Sequence, residues 1–323
     1  MVMAQSLFIA LRQRYPACDI DVVAPQWSLP LLERMPEVRR GIALSVGHGE
    51  LGMQKRLKLG RELAVSGYTH AIVMPRSWKS ALIPFFARVP VRTGYKGELR
   101  YGLINDIREL DKAGLKQVAQ RYVAHAYPAD LANAPPAEVP YPALSVDRAN
   151  AVKLISGLHL NLRKPIVGFM PGAEYGPAKQ WPKDNFVQLG KSLVERQYQI
   201  WIFGSEKERA LGESIVEGIG GDAFNLCGKT RLVDVVDLVA CAEHVVSNDS
   251  GLMHIASAVD VKVNVIYGSS TPEYTPPLTH SASIFYQRLA CSPCFARTCR
   301  YGHYNCLRKI SPEGPLQSIT NRS

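Results

Sequence analysis

Strand patterns and helix patterns alternate along nearly the whole chain, and this alternation limits the fold more than any other feature of the sequence. Short β-branched and aromatic runs predict the strands Ile20–Ala24, Gly41–Leu44, His70–Met74, Pro165–Met170, Gln199–Phe203, Phe224–Leu226, His244–Ser247 and Val263–Tyr267. Helical periodicity between them predicts the helices Met3–Tyr15, Leu29–Met35, Gln54–Ser66, Lys79–Ala87, Asp147–Leu160, Trp181–Arg196, Glu206–Ile219, Leu232–Ala240 and Gly251–Val259. Strands that are separated by helices form parallel sheets covered by those helices, so the sequence predicts an α/β fold.

Length and local composition divide the chain into two domains. A chain of 323 residues, 46% hydrophobic and 20% charged, is longer than one ordinary hydrophobic core supports. Proline, alanine and asparagine accumulate over Pro128–Pro142, which we interpret as an interdomain linker. We therefore expect domains at residues 1–140 and 141–323, both doubly wound and Rossmann-like and facing a central cleft. The first domain opens on a helix pattern, so we expect either that it lacks its usual first strand or that the sequence begins downstream of the natural start.

The formal charge of +10 predicts an anionic partner: nucleic acid, anionic lipid head groups or a phosphorylated substrate. The sequence has no helix-turn-helix, RNP or zinc-finger pattern, so we expect no nucleic-acid partner. A surplus of solvated lysine and arginine side chains remains the alternative. No apolar run reaches the roughly 18 residues of a membrane span, and Met1–Leu11 lacks the features of a signal peptide, so we expect a cytosolic protein.

The seven cysteines fall into two groups. The first group lies in apolar contexts, is interpreted as buried thiols, and consists of Cys18, Cys227 and Cys241. The second group crowds the C-terminal region and consists of Cys291, Cys294, Cys299 and Cys306. These four thiols could hold one structural zinc, but their spacing matches no common finger, and a loop of free thiols is the favoured interpretation. Cytosolic disulfides are not expected.

The run from Val245 to Ala258 carries the strongest single indication of a ligand site. A short β-branched strand ends there in a polar cluster and a helix begins at once. In an open α/β sheet, ligands bind at such carboxyl ends of strands. Asp249 and Ser250 are predicted to cap the new helix and to leave its other N–H groups facing an anion. A capped turn without a ligand remains the alternative.

The loop after the strand Pro165–Met170 offers a second candidate. Gly172 and Gly176 permit a ligand to approach the backbone closely, and Lys179 is the one cation of the loop, suited to neutralise a diphosphate. The spacing is not that of a Walker A loop. A solvent-facing lysine on a turn remains the alternative.

Two further strand ends of the second domain carry polar groups that suit a nucleotide. After Gln199–Phe203, Glu206 is placed to accept both hydroxyls of a ribose. An acid favoured by the helix dipole is the alternative, and for Glu208 it is the preferred interpretation. After the strand that ends at Tyr267, Ser269 and its neighbours offer hydroxyl and N–H groups to a phosphate or a sugar. The four strand ends together bear the groups that a nucleotide diphosphate needs.

Several long segments carry a resemblance to a known family. In the second domain they are Gly172–Pro182, Ser247–Ala258, Tyr267–Pro277 and the cysteine-rich tail Cys291–Cys306. In the first domain they are Pro75–Leu82, Arg92–Tyr95 and Arg100–Asp106. Over nearly its whole length the chain resembles the ADP-heptose:lipopolysaccharide heptosyltransferases of glycosyltransferase family 9, and their heptosyltransferase II branch in particular.

The resemblance implies a GT-B fold, with the acceptor held by the N-terminal domain and ADP-heptose by the C-terminal domain. It implies that Lys179 contacts the donor diphosphate, Glu206 the ribose and Thr230 the adenine. The donor-binding residues that it implies are Gly172, Lys179, Glu206, Thr230, Asp249, Ser250, Gly251, His254 and Ser269. The acceptor-binding residues that it implies are Arg76, Ser77 and Lys79, for which a solvated helix start is the alternative.

The reaction implied by the resemblance is an inverting transfer of L-glycero-D-manno-heptose from ADP-heptose to the heptosyl-Kdo2-lipid A inner core of lipopolysaccharide. Lys179 would stabilise the leaving diphosphate, no cofactor would be required, and a divalent metal would not be essential. The partners would be the nucleotide-sugar donor and the lipid A-core acceptor. The protein would be a cytoplasmic monomer in peripheral contact with the inner face of the inner membrane of a Gram-negative bacterium.

Both ends of the chain depart from the family pattern. The family's catalytic aspartate would precede Met1, so we expect this base to be absent, and whether Asp106 replaces it stays open. Pro315 is predicted to interrupt a closing helix. Two alternatives follow: a sister transferase that adds heptose I or III, or a catalytically inactive chain that binds the ADP-sugar.

Overall fold

The structure is a computed structural model that describes residues 1–47, 50–131 and 138–321. It consists of two compact units, Met3–Pro140 and Tyr141–Ser323, and each is described by itself below. The predicted linker Pro128–Pro142 lies partly outside the described residues, because residues 132–137 are not among them. Within the described ranges, no helix is both long and apolar enough to cross a membrane.

The first unit holds two small parallel sheets and five short α-helices among its described residues. Its strands are β1 (Ile20–Pro25), β2 (Val38–Leu44), β3 (His70–Ile72), β4 (Val91–Tyr95) and β5 (Asp106–Arg108). Its α-helices are α1 (Gln5–Arg14), α2 (Leu29–Leu32), α3 (Met53–Ala64), α4 (Leu82–Phe86) and α5 (Val118–Val123). One sheet pairs β1 with β2, and the other has the order β3-β4-β5.

A buried carboxylate joins the two strands of the first sheet. The side chain of Asp21 in β1 is only 1% exposed and accepts hydrogen bonds from Arg39 and Arg40 of β2 and from the hydroxyl of Tyr68. Arg39 also bonds the exposed Asp19 at 2.6 Å. A charge removed from water must be paired to be tolerated, and three donors meet that need at Asp21.

The second unit is built on one six-stranded sheet in which all strands are parallel. Its strands are β6 (Ile166–Met170), β7 (Gln199–Ile202), β8 (Ala223–Asn225), β9 (His244–Asn248), β10 (Lys262–Tyr267) and β11 (Ala282–Tyr286). Its α-helices are α6 (Arg148–Gly157), α7 (Lys183–Glu195), α8 (Arg209–Ile219), α9 (Leu232–Val239), α10 (Gly251–Ser257), α11 (Asn305–Arg308) and α12 (Glu313–Thr320).

Apolar residues cover both faces of this sheet, as a parallel sheet requires. Because side chains alternate along a strand, Phe169 of β6 packs on one face with Phe186 of α7, whereas Met170 packs on the other with Trp201 and Met253. All five of these side chains are buried to 2% exposure or less. The two cores fix β6 at the centre of the unit.

The strand order β11-β10-β9-β6-β7-β8 contains a topological switch point. From β6 the chain moves to β7 and β8 on one side, and it then returns to β9 on the other side of β6. The loops that leave the carboxyl ends of β6 and β9 therefore diverge and leave a crevice, which is the usual ligand position in such sheets.

Pro315 does not interrupt the closing helix, and that prediction is wrong. Helix α12 begins at Glu313, so Pro315 lies in its first turn. A residue in the first turn has no acceptor for its N–H within the helix, so proline loses no hydrogen bond there.

Candidate functional site

Asn248, the last residue of β9, ties together the loops at the switch point. Its Nδ2 donates to the carbonyl oxygen of Pro171 at 2.7 Å, and its Oδ1 accepts the N–H of Trp181 at 3.0 Å. The two ends of the loop after β6 are thereby fixed to the end of β9. The loop between them is held over the switch point, and it ends in a single 3₁₀ turn, Pro177–Lys179.

Lys179 at the end of that turn forms an ion pair with Asp249. Its Nζ lies 2.5 Å from Oδ2 of Asp249, and the two side chains are 17% and 3% exposed. The hydroxyl of Ser270 donates to the same oxygen at 2.5 Å, and that of Thr275 donates to Oδ1 at 3.3 Å. The interpretation of Lys179 as a solvent-facing lysine is therefore wrong. The loops after β6, β9 and β10 converge on one carboxylate.

The predicted capping of α10 by Asp249 and Ser250 is also wrong. Ser250 occupies the N-cap position but makes no side-chain cap hydrogen bond, and the carboxylate of Asp249 is bound by Lys179 instead. One turn further along, His254 is half-buried, and its Nδ1 has no hydrogen-bond partner among the described residues. Burial lowers the pKa of His254, which keeps the imidazole neutral at physiological pH.

Ser269 joins the loop after β10 to the loop after β6. Its N–H donates to the carbonyl oxygen of Ala178 at 3.0 Å, and its own carbonyl accepts the N–H groups of Cys294 and Phe295. The approach of the two backbones explains Gly268, because a Cβ there would lie 2.5 Å from the oxygen of Ala178. The hydroxyl of Ser269 is buried and has no partner among the described residues.

Glu208 fills the space between the loops after β6 and β7. It accepts the N–H and the hydroxyl of Ser205 at 2.6 and 2.9 Å in a capping box, which confirms its interpretation as an acid of a helix N-terminus. Gly172 faces this carboxylate so closely that a Cβ would lie 1.5 Å from Oε1 of Glu208.

Glu206 is exposed and pairs with Arg209 at 3.0 Å. It lies against Gly228, because a Cβ on that glycine would be 2.0 Å from Oε2 of Glu206. Two residues beyond Gly228, the buried hydroxyl of Thr230 has no partner among the described residues. The structure thus brings the predicted ribose-binding acid close to the loop that carries the predicted adenine contact.

The acceptor candidates of the first unit follow β3. The guanidinium of Arg76 donates twice to the carbonyl oxygen of Lys96, at 3.1 and 2.9 Å, and Nζ of Lys79 donates to the carbonyl of Glu50 at 3.4 Å. Ser77 precedes a 3₁₀ turn in an extended conformation and makes no cap hydrogen bond. Neither cation forms an ion pair within the described part of the chain, so both remain available to an anion.

Asp106 does not have the properties of a poised base. Its carboxylate accepts hydrogen bonds from Thr93 at 2.7 Å and from Arg108 at 2.8 Å. Burial alone would raise the pKa of Asp106, but these hydrogen bonds outweigh burial and lower it. A carboxylate that is stabilised in its charged form is a weak proton acceptor.

All seven cysteines are free thiols. Cys227 is buried as predicted, whereas Cys18 and Cys241 are half-buried. Among residues 1–47, 50–131 and 138–321, no group of three or more histidine, cysteine or acidic side chains is placed to hold a metal ion. The cysteine-rich tail instead contacts the loop after β6 through its backbone, since Arg297 O accepts the N–H of Ala178 at 3.0 Å.

Four side chains of this site were not predicted from the sequence. Ser270 and Thr275 hold Asp249, and Tyr175 lies beneath Lys179, whose Nζ is 5.3 Å from the centre of its ring. The guanidinium of Arg297 lies 5.4 Å from the same ring. The resemblance of the cysteine-rich tail to a family motif was the one signal that pointed towards Arg297.

Comparison with known proteins gives consistent matches. The model of glycosyltransferase family 9 (heptosyltransferase) matches residues 56–305. Lipopolysaccharide heptosyltransferase 2 of Salmonella typhimurium is 41% identical, over 99% of this chain and 94% of the relative. Lipooligosaccharide heptosyltransferase 2 of Haemophilus influenzae is 43% identical, over 88% of this chain and 84% of the relative.

A solved structure matches as well. The structure of E. coli ADP-heptose lps heptosyltransferase II superposes with a TM-score of 0.89 at 38% identity, and the match covers 99% of this chain and 93% of that one. The α/β fold of the GT-B class that the sequence predicted is therefore confirmed.

Proposed function

The chain belongs to glycosyltransferase family 9, and on this premise we propose that it transfers L-glycero-D-manno-heptose from ADP-heptose to heptosyl-Kdo2-lipid A. The transfer builds the inner core of lipopolysaccharide. The observation that carries the proposal is the pair of Lys179 and Asp249 at the switch point of the sheet. A cation held there meets a donor diphosphate at the position where open α/β sheets bind nucleotides.

In the proposed reaction a hydroxyl of the acceptor heptose attacks the anomeric carbon of ADP-heptose. The new glycosidic C–O bond forms while the bond from the anomeric carbon to the phosphate oxygen breaks, so the configuration inverts and ADP leaves. Lys179 stabilises the charge that develops on the departing diphosphate. The hydroxyl proton passes to a general base, and Asp106 is poorly suited to that role because Arg108 stabilises its charged form.

The proposed donor site consists of residues that surround the switch point or follow the neighbouring strands. They are Gly172, Lys179, Glu206, Thr230, Asp249, Ser250, Gly251, His254 and Ser269. Three of them carry a buried polar atom without a partner among the described residues, namely Thr230, His254 and Ser269. Buried polar groups normally have partners, so a nucleotide sugar would supply what these three lack.

The proposed acceptor site contains Arg76, Ser77 and Lys79, whose two cations suit the phosphate and carboxylate groups of an inner core. No divalent metal is needed for the transfer, because Lys179 offers the positive charge. The formal charge of +10 supports peripheral contact with the anionic inner face of the inner membrane. We place the protein there as a cytoplasmic monomer.

The test is transfer from ADP-heptose to heptosyl-Kdo2-lipid A, followed by product mass with and without EDTA. Lys179→Ala should lower kcat/KM by about 100-fold, the range seen when a charge-stabilising donor is removed. Lys191→Ala, an exposed lysine in the middle of α7, is the control and should leave the rate unchanged.

Acceptor choice separates the remaining alternatives. A preference for Kdo2-lipid A, or for an acceptor that already carries two heptoses, would identify a sister transferase that adds heptose I or III. Binding of ADP-heptose without transfer to any acceptor would identify a chain that only binds the ADP-sugar. Equal rates for Lys179→Ala and Lys191→Ala would contradict the proposed role of the ion pair.

A further inference from the structure

We propose that Arg297 is a second cation for the donor diphosphate, held on the same loop as Lys179. This inference rests on the proposed function and adds a residue of the cysteine-rich tail to the donor site.

Both cations lie close to the ring of Tyr175. Nζ of Lys179 lies 5.3 Å from the centre of its ring, and Cζ of Arg297 lies 5.4 Å from the same centre. The hydroxyl of Tyr175 donates to the carbonyl oxygen of Phe295 at 2.6 Å, which fixes the ring against the tail. An aromatic face attracts a cation at this range, so one anchored ring orients both side chains.

The backbone of Arg297 is locked to the donor loop. Its carbonyl accepts the N–H of Ala178, the residue directly before Lys179. Gly176 has a φ of +148°, and a Cβ there would lie 2.6 Å from this carbonyl oxygen, so the approach requires glycine. The same tail segment donates two N–H groups to Ser269 O. Arg297 is therefore held on the loop that carries Lys179.

Only one of the two cations already has an ion-pair partner among the described residues. Lys179 is largely shielded from solvent and paired with Asp249, whereas Arg297 is exposed and has no ion-pair partner within the described part of the chain. A guanidinium presents a planar fork of N–H donors that binds phosphate oxygens in pairs. Arg297 can thus bind an anion without giving up an existing partner, while Lys179 must exchange Asp249 for the ligand.

Arg300 provides a matched control three residues further along the tail. It is also exposed and also lies over a tyrosine, with Cζ 5.4 Å from the ring of Tyr301. Tyr301, however, belongs to the tail itself and not to the loop after β6. An effect that arises from general surface charge would be equal at the two arginines.

The experiment measures binding of ADP and of adenosine by calorimetry, without acceptor, for the native chain and for R297A, R297K and R300A. R297A should weaken ADP binding by about 10-fold, the effect of losing one charged hydrogen bond, and leave adenosine binding unchanged. R297K should keep part of the ADP affinity, and R300A should match the native chain. A purely structural role would weaken adenosine as much as ADP, and that result would overturn the proposal.

Three other outcomes are equally decisive. Equal ADP affinities for R297A and R300A would refute the role of Arg297 and leave the proposed function intact. Steady-state kinetics of R297A with the acceptor present complete the test: a rise only in the KM for the acceptor, with ADP binding unchanged, would assign Arg297 to an acceptor phosphate and would also refute the proposal. No binding of ADP to the native chain would refute the proposed function and this inference together.

Discussion

Lys179 and Asp249 form an ion pair at 2.5 Å although they are 70 positions apart in the sequence. They meet because the strands that precede their loops, β6 and β9, are neighbours in the sheet but not in the sequence. The pair is nearly closed to solvent, so removing either partner leaves the other charge buried and unpaired. A diphosphate that enters the site must then compete with Asp249 for the ammonium.

The first prediction concerns this competition. Asp249→Asn should lower the free energy of unfolding by about 3 kcal/mol, because Lys179 loses its counter-charge. Saturating ADP should raise the melting temperature of the variant more than that of the native chain, since the diphosphate replaces the lost anion. The measurement is thermal unfolding with and without ADP.

The double variant Lys179→Met/Asp249→Asn is the control for this prediction. It removes both charges, so it should be more stable than Asp249→Asn alone and should lose the additional stabilisation by ADP. An ADP effect that is the same in the native chain and in Asp249→Asn would show that the diphosphate does not bind Lys179.

The second prediction concerns the contact of Gly172 with Glu208. Gly172→Ala should displace the Glu208 carboxylate, because its Cβ would lie 1.5 Å from Oε1, and the loss of the capping box costs about 1 kcal/mol. In a Glu208→Ala background the same substitution should cost much less. Chemical denaturation measures the loss of stability caused by Gly172→Ala in both backgrounds. Gly157→Ala, at a position where a Cβ meets nothing within 4 Å, should not destabilise the protein.

The sequence predicted strands β6 to β10 of the second unit well because these strands are largely buried on both faces. Runs such as those of β6 and β9 are apolar and β-branched, and a helix pattern follows each of them, so their carboxyl ends could be located. The half-buried edge strand β11 was missed. Strands β4 and β5 were missed as well. They are five and three residues long, and β4 contains Arg92 and Gly94, so neither gives a periodic apolar signal.

The error at the start of α10 has a physical cause. Asp249 and Ser250 have the residue types and positions of helix caps, and local preference alone assigns them that role. The carboxylate instead binds Lys179, Ser270 and Thr275, which come from two other loops. Contacts that arise only from the strand order cannot be recognised in the local sequence. The local sequence therefore predicted a capping role for Asp249 and Ser250 that the tertiary contacts replace.

The third prediction concerns the relative reactivity of two cysteines in the cysteine-rich tail. Backbone N–H groups, first that of Tyr304 and then those of Tyr301, Gly302 and His303, lower the pKa of Cys299. Burial raises the pKa of Cys306 in the same tail. Since the thiolate is the reactive form, iodoacetamide at pH 7 should alkylate Cys299 faster than Cys306. Mass spectrometry of timed samples measures the order, and comparable rates at the two sites would contradict it.

The fourth prediction follows from the buried carboxylate of the first unit. Burial alone would raise the pKa of Asp21, but hydrogen bonds from Arg39, Tyr68 and Arg40 outweigh it and lower the pKa to about 2, from an ordinary value of 3.8. A carboxyl group whose pKa is lowered by folding stabilises the folded state at every pH above its unfolded value. As the pH falls from roughly 4 to 2, the unfolded state takes up the proton before the folded state does. This contribution to the free energy of unfolding is therefore lost over that range.

Asp21→Asn should therefore lower the free energy of unfolding by about 2 kcal/mol at pH 7, and by less at pH 3. Asp19→Asn is the matched control, since Asp19 also bonds Arg39 but its side chain is 61% exposed, and an exposed pair contributes under about 1 kcal/mol. Urea unfolding at pH 7, 4 and 3 measures the three proteins side by side. A difference between the native chain and Asp21→Asn that stays constant from pH 7 to pH 3 would show that the charge of Asp21 does not stabilise the sheet.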